Sequence, residues 1–246
     1  MESILNQDFR DFEILVIDNV SKDRTLEQVR SFEDSESRVR IFSEKDSGIY
    51  DAMNKGMQLS RGKWLFFLGS DDTFFDTNVL ANLFSYLQNG DYDVVYGNVY
   101  SIAYKKLYDG AFSKDKIISQ NICHQSIFFN KKVFDIIGQY NLKYHCHSDW
   151  DSNLKWFFSP RLKSAFIPLT IAVYGDGGYS ALGDEAFARD KEVNVLRSAR
   201  RFMTRKERLS ILIQEFKKSY KEHNYRRIIS VFFMARYLIR NKAAAL

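Results

Sequence analysis

Trp64-Leu65-Phe66-Phe67-Leu68-Gly69-Ser70-Asp71-Asp72 is the stretch that decides the fold, because an unbroken apolar run stops at two adjacent carboxylates. The run reads as a buried strand bounded by a turn. Two like charges side by side raise each other's proton affinity, and near a core they need a cation, hydrogen bonds or water to offset their repulsion. Oxygen ligands of this kind suit Mg or Mn, which keep open positions for the phosphates of a substrate. The pair fits a solvated turn that caps a helix equally well, since Asp begins turns and caps helices.

Working outward, the first 100 residues alternate short apolar runs with helical patterns, which predicts a βα-layered α/β fold. Residues 12–17 form a strand ending at Asp18, and Ser21 or Asp23 caps the helix that follows. Residues 39–42 make the next strand. Over 49–59 the spacing predicts a helix with Ile49, Ala52, Met53, Gly56, Met57 and Leu59 on one stripe. Further on, 77–87 reads as a helix and 92–100 as a strand, while 105–121 carries mixed signals and reads as a loop. A strand over 125–129, a helix over 131–137 stopped at Gly138, and a helix over 149–158 capped by Ser148 come next. Two short strands, 162–167 and 170–174, are separated near Pro168.

The chain has 246 residues, 45% of them apolar, enough for a substantial core in one main domain with an appendage. Two cysteines give no disulfide framework and no secretory leader opens the sequence, so a cytoplasmic location is expected. No apolar stretch approaches the roughly 20 residues that cross a bilayer. The net charge of +5 hides an asymmetry: residues 191–246 hold 15 Lys and Arg against 4 Asp and Glu, leaving 1–190 at −6. Two domains are therefore expected, 1–188 and a basic amphipathic helical tail, 189–246. Such a tail suits an anionic membrane surface, here the inner face of the plasma membrane. It equally suits a hairpin packed on the main domain, and nucleic acid is the least favoured partner.

Asp18 and the pair Asp71-Asp72 each follow a strand, and acids from separate strands converge on one site beyond the carboxyl ends of an open α/β sheet. The segment 44–56 opens a helix behind Gly48, and a helix N-terminus favours phosphate. It offers Tyr50, Asn54 and Lys55 as donors, though turn, helix-face and solvated roles fit these residues too. Zinc binding by Cys123, His124, His145, Cys146 and His147 is disfavoured, because adjacent ligands on a strand point to opposite faces and no close Cys spacing is present.

Together, Ile17-Asp18 with Ser21-Lys22-Asp23-Arg24-Thr25, then Asp46-Ser47-Gly48-Ile49-Tyr50-Asp51-Ala52-Met53-Asn54-Lys55-Gly56, then Gly69-Ser70-Asp71-Asp72, resemble the family 2 glycosyltransferases of GT-A fold over residues 1 to about 180. The resemblance implies a Rossmann-like mixed sheet flanked by helices, with the basic helical appendage beside it. It also implies an inverting transferase that moves a sugar from a nucleotide diphosphate donor, a UDP-sugar, to a glycan or lipid-linked acceptor with Mn or Mg, in building a bacterial surface polysaccharide or lipid-linked glycan. By the same resemblance Asp18 contacts the base, Asp71 the ribose or nucleotide, and Asp72 the metal, with Tyr50 and Asn54 on the donor side. Ser148-Asp149-Trp150-Asp151 resembles the family's base motif, which makes Asp149 the base and Asp151 its reserve. Ile122-Cys123-His124-Gln125-Ser126 resembles a segment on the acceptor side, implying that His124 and Gln125 face the acceptor.

The resemblance further implies a first strand ahead of the helix that ends in residues 2–7, which this sequence lacks. An exposed neighbouring strand and an open wall in the donor pocket are the expected consequences. The competing reading is thus a catalytically impaired remnant that serves as a non-enzymatic interaction protein. A phosphatase-like hydrolase expects two aspartates separated by one residue and ranks last.

Overall fold

Residues 1–108, 110–175 and 183–240 are described by a computed structural model, with side chains through 236. They divide into two compact units, Met1–Phe187 and Ala188–Leu246.

In the first unit a short helix α1 (Glu2–Leu5) leads to β1 (Ile14–Asp18), whose Ile-Leu-Val-Ile run favours extended backbone. Helix α2 (Thr25–Ser35) crosses over to β2 (Val39–Ser43), and the two strands pair in parallel from Ile14 opposite Val39 to Asp18 opposite Ser43. Helix α3 (Ile49–Leu59) then returns the chain to β3 (Trp64–Phe66) and β4 (Thr73–Phe74). The rest of the unit comprises α4 (Val79–Gln88), β5 (Val94–Ser101), β6 (Lys106–Tyr108), α5 (Lys114–Ser119), β7 (Ile127–Asn130), α6 (Val133–Ile137), α7 (Ser148–Phe157) and β8 (Ser164–Tyr174).

A six-stranded mixed sheet runs β3-β7-β5-β8-β4, with β6 also on β5; β5 and β8 are parallel and its other pairings antiparallel. Val94, Val95, Tyr96 and Val99 of β5 are buried, and its inner face joins Phe74, Val79, Leu83, Phe128, Ile167 and Ile171 in the core. Burial on this scale, about 25 cal/mol per Å² of apolar surface, holds the sheet to its helices. Among the described residues β1 pairs only with β2 and β3 only with β7, so a two-stranded parallel sheet accompanies the six-stranded mixed one.

Several local expectations are corrected. The segment 105–121 holds a strand and a helix, because Ser113 caps α5 by accepting from Lys116 N and β6 pairs with β5. Gln125 lies in a 3-10 turn, His124–Ser126, and the strand starts only at Ile127. Ser148 is the first residue of α7, and no side chain caps that helix. Neither Ser21 nor Asp23 is the N-cap of α2, although Asp23 accepts from Thr25 N at 2.9 Å. Helix α3 has the expected bounds but turns Tyr50, Asn54 and Met57 inward and leaves Ile49 exposed, because the two polar side chains find buried partners.

The two strands expected around Pro168 are one strand with a shift of register against β5 between Tyr96 and Val99. Gly97 makes the shift possible: a Cβ there would lie 2.4 Å from the Leu169 carbonyl oxygen and 2.9 Å from Ile171 Cγ1. Gly97→Ala is expected to cost about 2 kcal/mol by overpacking, read as a lower urea midpoint with an unchanged slope. An unchanged midpoint would show that the bulge yields freely.

The second unit consists of most of α8 (Glu185–Ala199), a 3-10 turn (Arg200–Phe202), α9 (Arg205–Lys221) and α10 (Tyr225–Arg240). Thr204 and Glu207 close a reciprocal capping box at the start of α9. Leu196, Leu212 and Val231 form its small core. Beside them Arg227 is held by Glu215 at 2.6 Å, Asp190 at 2.9 Å and the Arg189 carbonyl.

Candidate active site

The N-terminus of α7 carries Asp149 in its first turn, where the helix dipole favours a carboxylate. Asp149 is only 7% exposed, and both of its oxygens are engaged. Tyr50, 99 residues earlier on α3, places its hydroxyl 2.8 Å from Asp149 Oδ1 and 2.8 Å from the Cys146 carbonyl. Burial, and then the charge of Asp149, hold the Tyr50 phenol far above its ordinary range, so it stays protonated and donates. Asn121 donates from Nδ2 to Asp149 Oδ2 at 2.7 Å. Its own Oδ1 accepts from Asn153 at 2.9 Å, and Asn153 accepts from the Trp156 indole at 2.8 Å. A partly buried chain of hydrogen bonds therefore ends on one carboxylate and holds its orientation.

Asp72 stands at the other end of the site, 8% exposed, with Asp71 exposed beside it. Its Oδ2 accepts from Gly69 N at 3.1 Å and from Gln125 Nε2 at 2.8 Å. A Cβ at Gly69 would lie 2.5 Å from that oxygen, so a larger residue there would displace the Asp72 carboxylate. Burial, with a further contribution from the neighbouring Asp71 charge, pushes the Asp72 carboxyl above its usual range; Gln125, His124 and Gly69 only partly reverse this. His124, next to Gln125, sets Nδ1 3.9 Å from Asp149 Oδ2. One 3-10 turn thus reaches both acids, Gln125 to Asp72 and His124 toward Asp149.

The remaining candidates have other partners. Asp18 is buried at the end of β1, accepting from Ser43 Oγ at 2.6 Å and Ser21 N at 3.1 Å. Burial raises its carboxyl, but the hydrogen bonds from Ser21, Ser43 and Val20 outweigh that and hold it below the usual range. Asn54 uses both ends of its amide on the backbone of Tyr140, at 2.9 and 3.0 Å, which pins the segment ahead of α7. Asp151 is 2.7 Å from Lys155 Nζ, one helical turn along. Lys55 reaches the Lys45 carbonyl at 2.6 Å and Glu44 at 3.1 Å.

Sequence reasoning missed Asn121 and Asp184. Asn121 directly precedes the segment Ile122-Cys123-His124-Gln125-Ser126, but no local signal marks its partner. Asp184 was legible as a cap, because its carboxylate accepts from Phe187 N, three residues on, at 2.9 Å. It also accepts from Cys146 N at 2.9 Å and His147 N at 3.3 Å, bracing the entry to α7. Although burial raises the Asp184 carboxyl, these backbone donors and nearby His147 bring it below the ordinary range. A carboxyl that binds its proton more weakly folded than unfolded contributes stability above its unfolded value, and that stability disappears as pH falls through its folded value. Asp184→Ala is expected to cost about 3 kcal/mol at neutral pH by stranding backbone donors. The gap from wild type should close below about pH 4, as followed by denaturant titration at several pH values; a pH-independent gap would contradict the account.

Asp71 and Asp72 supply hard oxygen ligands of the kind Mg and Mn take. Among the described residues no group of three or more His, Cys, Asp or Glu side chains is arranged to hold a metal unaided, so water and substrate phosphates would complete the shell.

Residues 1–153 match the family described as Glycosyl transferase family 2. A PGL/p-HBAD biosynthesis glycosyltransferase of Mycobacterium bovis strain BCG is 36% identical over 181 residues, 72% of this chain and 71% of that protein. Chondroitin synthase of Escherichia coli is 29% identical over 164 residues, 63% of this chain and 24% of its own length. The crystal structure of S. aureus TarS 1-349 in complex with UDP superposes with a TM-score of 0.66 at 16% identity, covering 89% of this chain and 66% of that one. A companion structure with UDP-GlcNAc gives the same TM-score at 15% identity, covering 89% and 67%. The architecture is that of a GT-A-like glycosyltransferase. Because the family match runs from α1 through the Asp72 turn and into α7, the chain belongs to glycosyl transferase family 2.

Proposed function

We propose that the chain transfers a sugar from a UDP-linked donor to a hydroxyl of a glycan or lipid-linked acceptor, with inversion at the anomeric carbon, in the assembly of a bacterial surface polysaccharide or lipid-linked glycan. The observation that carries the reading is Asp149, a buried carboxylate held by Tyr50 and Asn121 and joined through the turn 124–126 to Asp72. In this scheme Asp149 takes the proton of the acceptor hydroxyl as its oxygen attacks the anomeric carbon. The bond from that carbon to the diphosphate oxygen breaks on the opposite side, and its electron pair leaves with UDP. A single in-line displacement of this kind inverts the centre. Asp72, with Asp71 beside it, would hold Mg or Mn, which when bound would supply positive charge against the diphosphate.

Gln125 keeps the Asp72 carboxylate turned toward the donor, and His124 lies between the donor and acceptor sides. Asp18, with its fixed hydrogen bonds, is the candidate contact for the nucleotide base. The UDP and UDP-GlcNAc named with the TarS structures support the choice of donor nucleotide.

Calorimetric titration of the chain with UDP, with and without Mn, followed by release of UDP from a panel of UDP-sugars and acceptors, tests the reading. Metal-dependent UDP binding and acceptor-dependent UDP release are expected. A chain that binds no nucleotide diphosphate would favour the non-enzymatic interaction reading.

A further inference from the structure

We infer that the outward faces of α9 and α10 bind the surface of an anionic phospholipid bilayer, an interaction independent of the transferase reading. On α9, Leu209, Ile213, Phe216 and Tyr220 recur at helical spacing and are all exposed, whereas Leu212, Glu215 and Ser219 turn inward. On α10, Val231 turns inward while Ile229, Phe232 and Phe233 stand out, the two phenylalanines 72% and 67% exposed. Each helix therefore has two apolar sides, one spent on the small core and one open. Exposed stripes of aromatic and aliphatic side chains at helical spacing mark an interaction site rather than ordinary surface.

Charge chooses the occupant. Lys206 precedes Leu209 by three residues and Lys217 follows Ile213 by four, so both border the open stripe of α9. The acids of α9 are spent internally: Glu215 on Arg227, and Glu207 on the cap at Thr204. Helix α10 contains no acidic residue. Residues 191–246, with 15 basic against 4 acidic residues, would repel a second copy of the same surface. Anionic headgroups complement it, with lysine stems lying along the apolar boundary and their ammonium groups at headgroup level. Among the described residues no helix is long and apolar enough to cross a membrane, so the contact lies in the plane of the interface.

The test is sedimentation of the full chain with sucrose-loaded phosphatidylcholine vesicles, with and without phosphatidylglycerol. Retention is expected only on the anionic vesicles and should weaken with added salt. Phe232→Ser combined with Phe233→Ser should lower the partition coefficient about 100-fold. Lys206→Gln with Lys217→Gln should lower it about fivefold per charge. All four positions lie off the small core, and thermal melts of the variants should match the wild type. Equal retention of the phenylalanine variant, equal binding to neutral vesicles, or no retention at all would overturn the inference. So would concentration-dependent self-association through these faces without lipid, which would give them to a second copy, or salt-sensitive capture of RNA or DNA without vesicle binding.

Discussion

Replacing Asp149 with Asn is expected to slow sugar transfer about 1000-fold, the scale of a lost general base, while UDP affinity stays within a few-fold of wild type. The substitution keeps the size and planarity of the side chain but removes the negative charge that, in the proposed mechanism, accepts the proton of the acceptor hydroxyl. The new amide oxygen would still accept from Tyr50, but the new amide nitrogen would meet the amide nitrogen of Asn121 where a carboxylate oxygen now accepts. Tyr50→Phe separates charge from orientation, because it keeps the carboxylate and removes one of its donors; about tenfold slower turnover with unchanged UDP affinity is expected. Initial rates of UDP release at saturating donor, beside calorimetric UDP binding, measure both effects. If the Asp149→Asn chain turns over within tenfold of wild type, Asp149 is not the base. Asp151, now paired with Lys155, would then be next to test.

The second large effect is at Asp72. Asp72→Asn is expected to reduce UDP affinity in the presence of Mn about 100-fold and to abolish the difference between titrations with and without the metal. The same substitution should raise the thermal stability of the metal-free protein. Because the folded-state carboxyl of Asp72 is pushed up, the ionised group opposes folding at neutral pH, and that opposition fades as pH falls through its folded value. Asn removes the charge yet can still accept from Gln125 through its oxygen. Lower affinity together with higher stability is the signature of a charge kept for binding rather than for folding. Unaltered metal dependence of UDP binding would remove Asp72 as the ligand.

Much of the first unit was legible in the sequence because the signals are local. The apolar run 64–68 ended at two carboxylates, helix 49–59 had spacing and a glycine start, and the order of motifs carried the family resemblance. Where local signals competed, the reading failed. Segment 105–121 is short, polar and interrupted, and it becomes a strand and a helix only because β5 and the Ser113 cap accept it. Pro168 looked like the end of a strand, but the register shift opposite Gly97 carries one strand through it.

The sequence by itself determined most of the elements in the first unit, the family, and which residue types were available for chemistry, since helical and strand spacing and motif order are properties of neighbouring positions. Only the tertiary structure decided that Tyr50 serves Asp149 across 99 residues, that Asn54 is spent on Tyr140 rather than left open, and that Asn121 and Asp184 matter at all. It also decided which side of α3 turns inward: the apolar stripe predicted Ile49, whereas the buried side carries Tyr50 and Asn54. The physical reason is that a buried polar group is placed by the partner that satisfies it, and when that partner lies on another element its identity depends on the path of the whole chain, which no local pattern encodes.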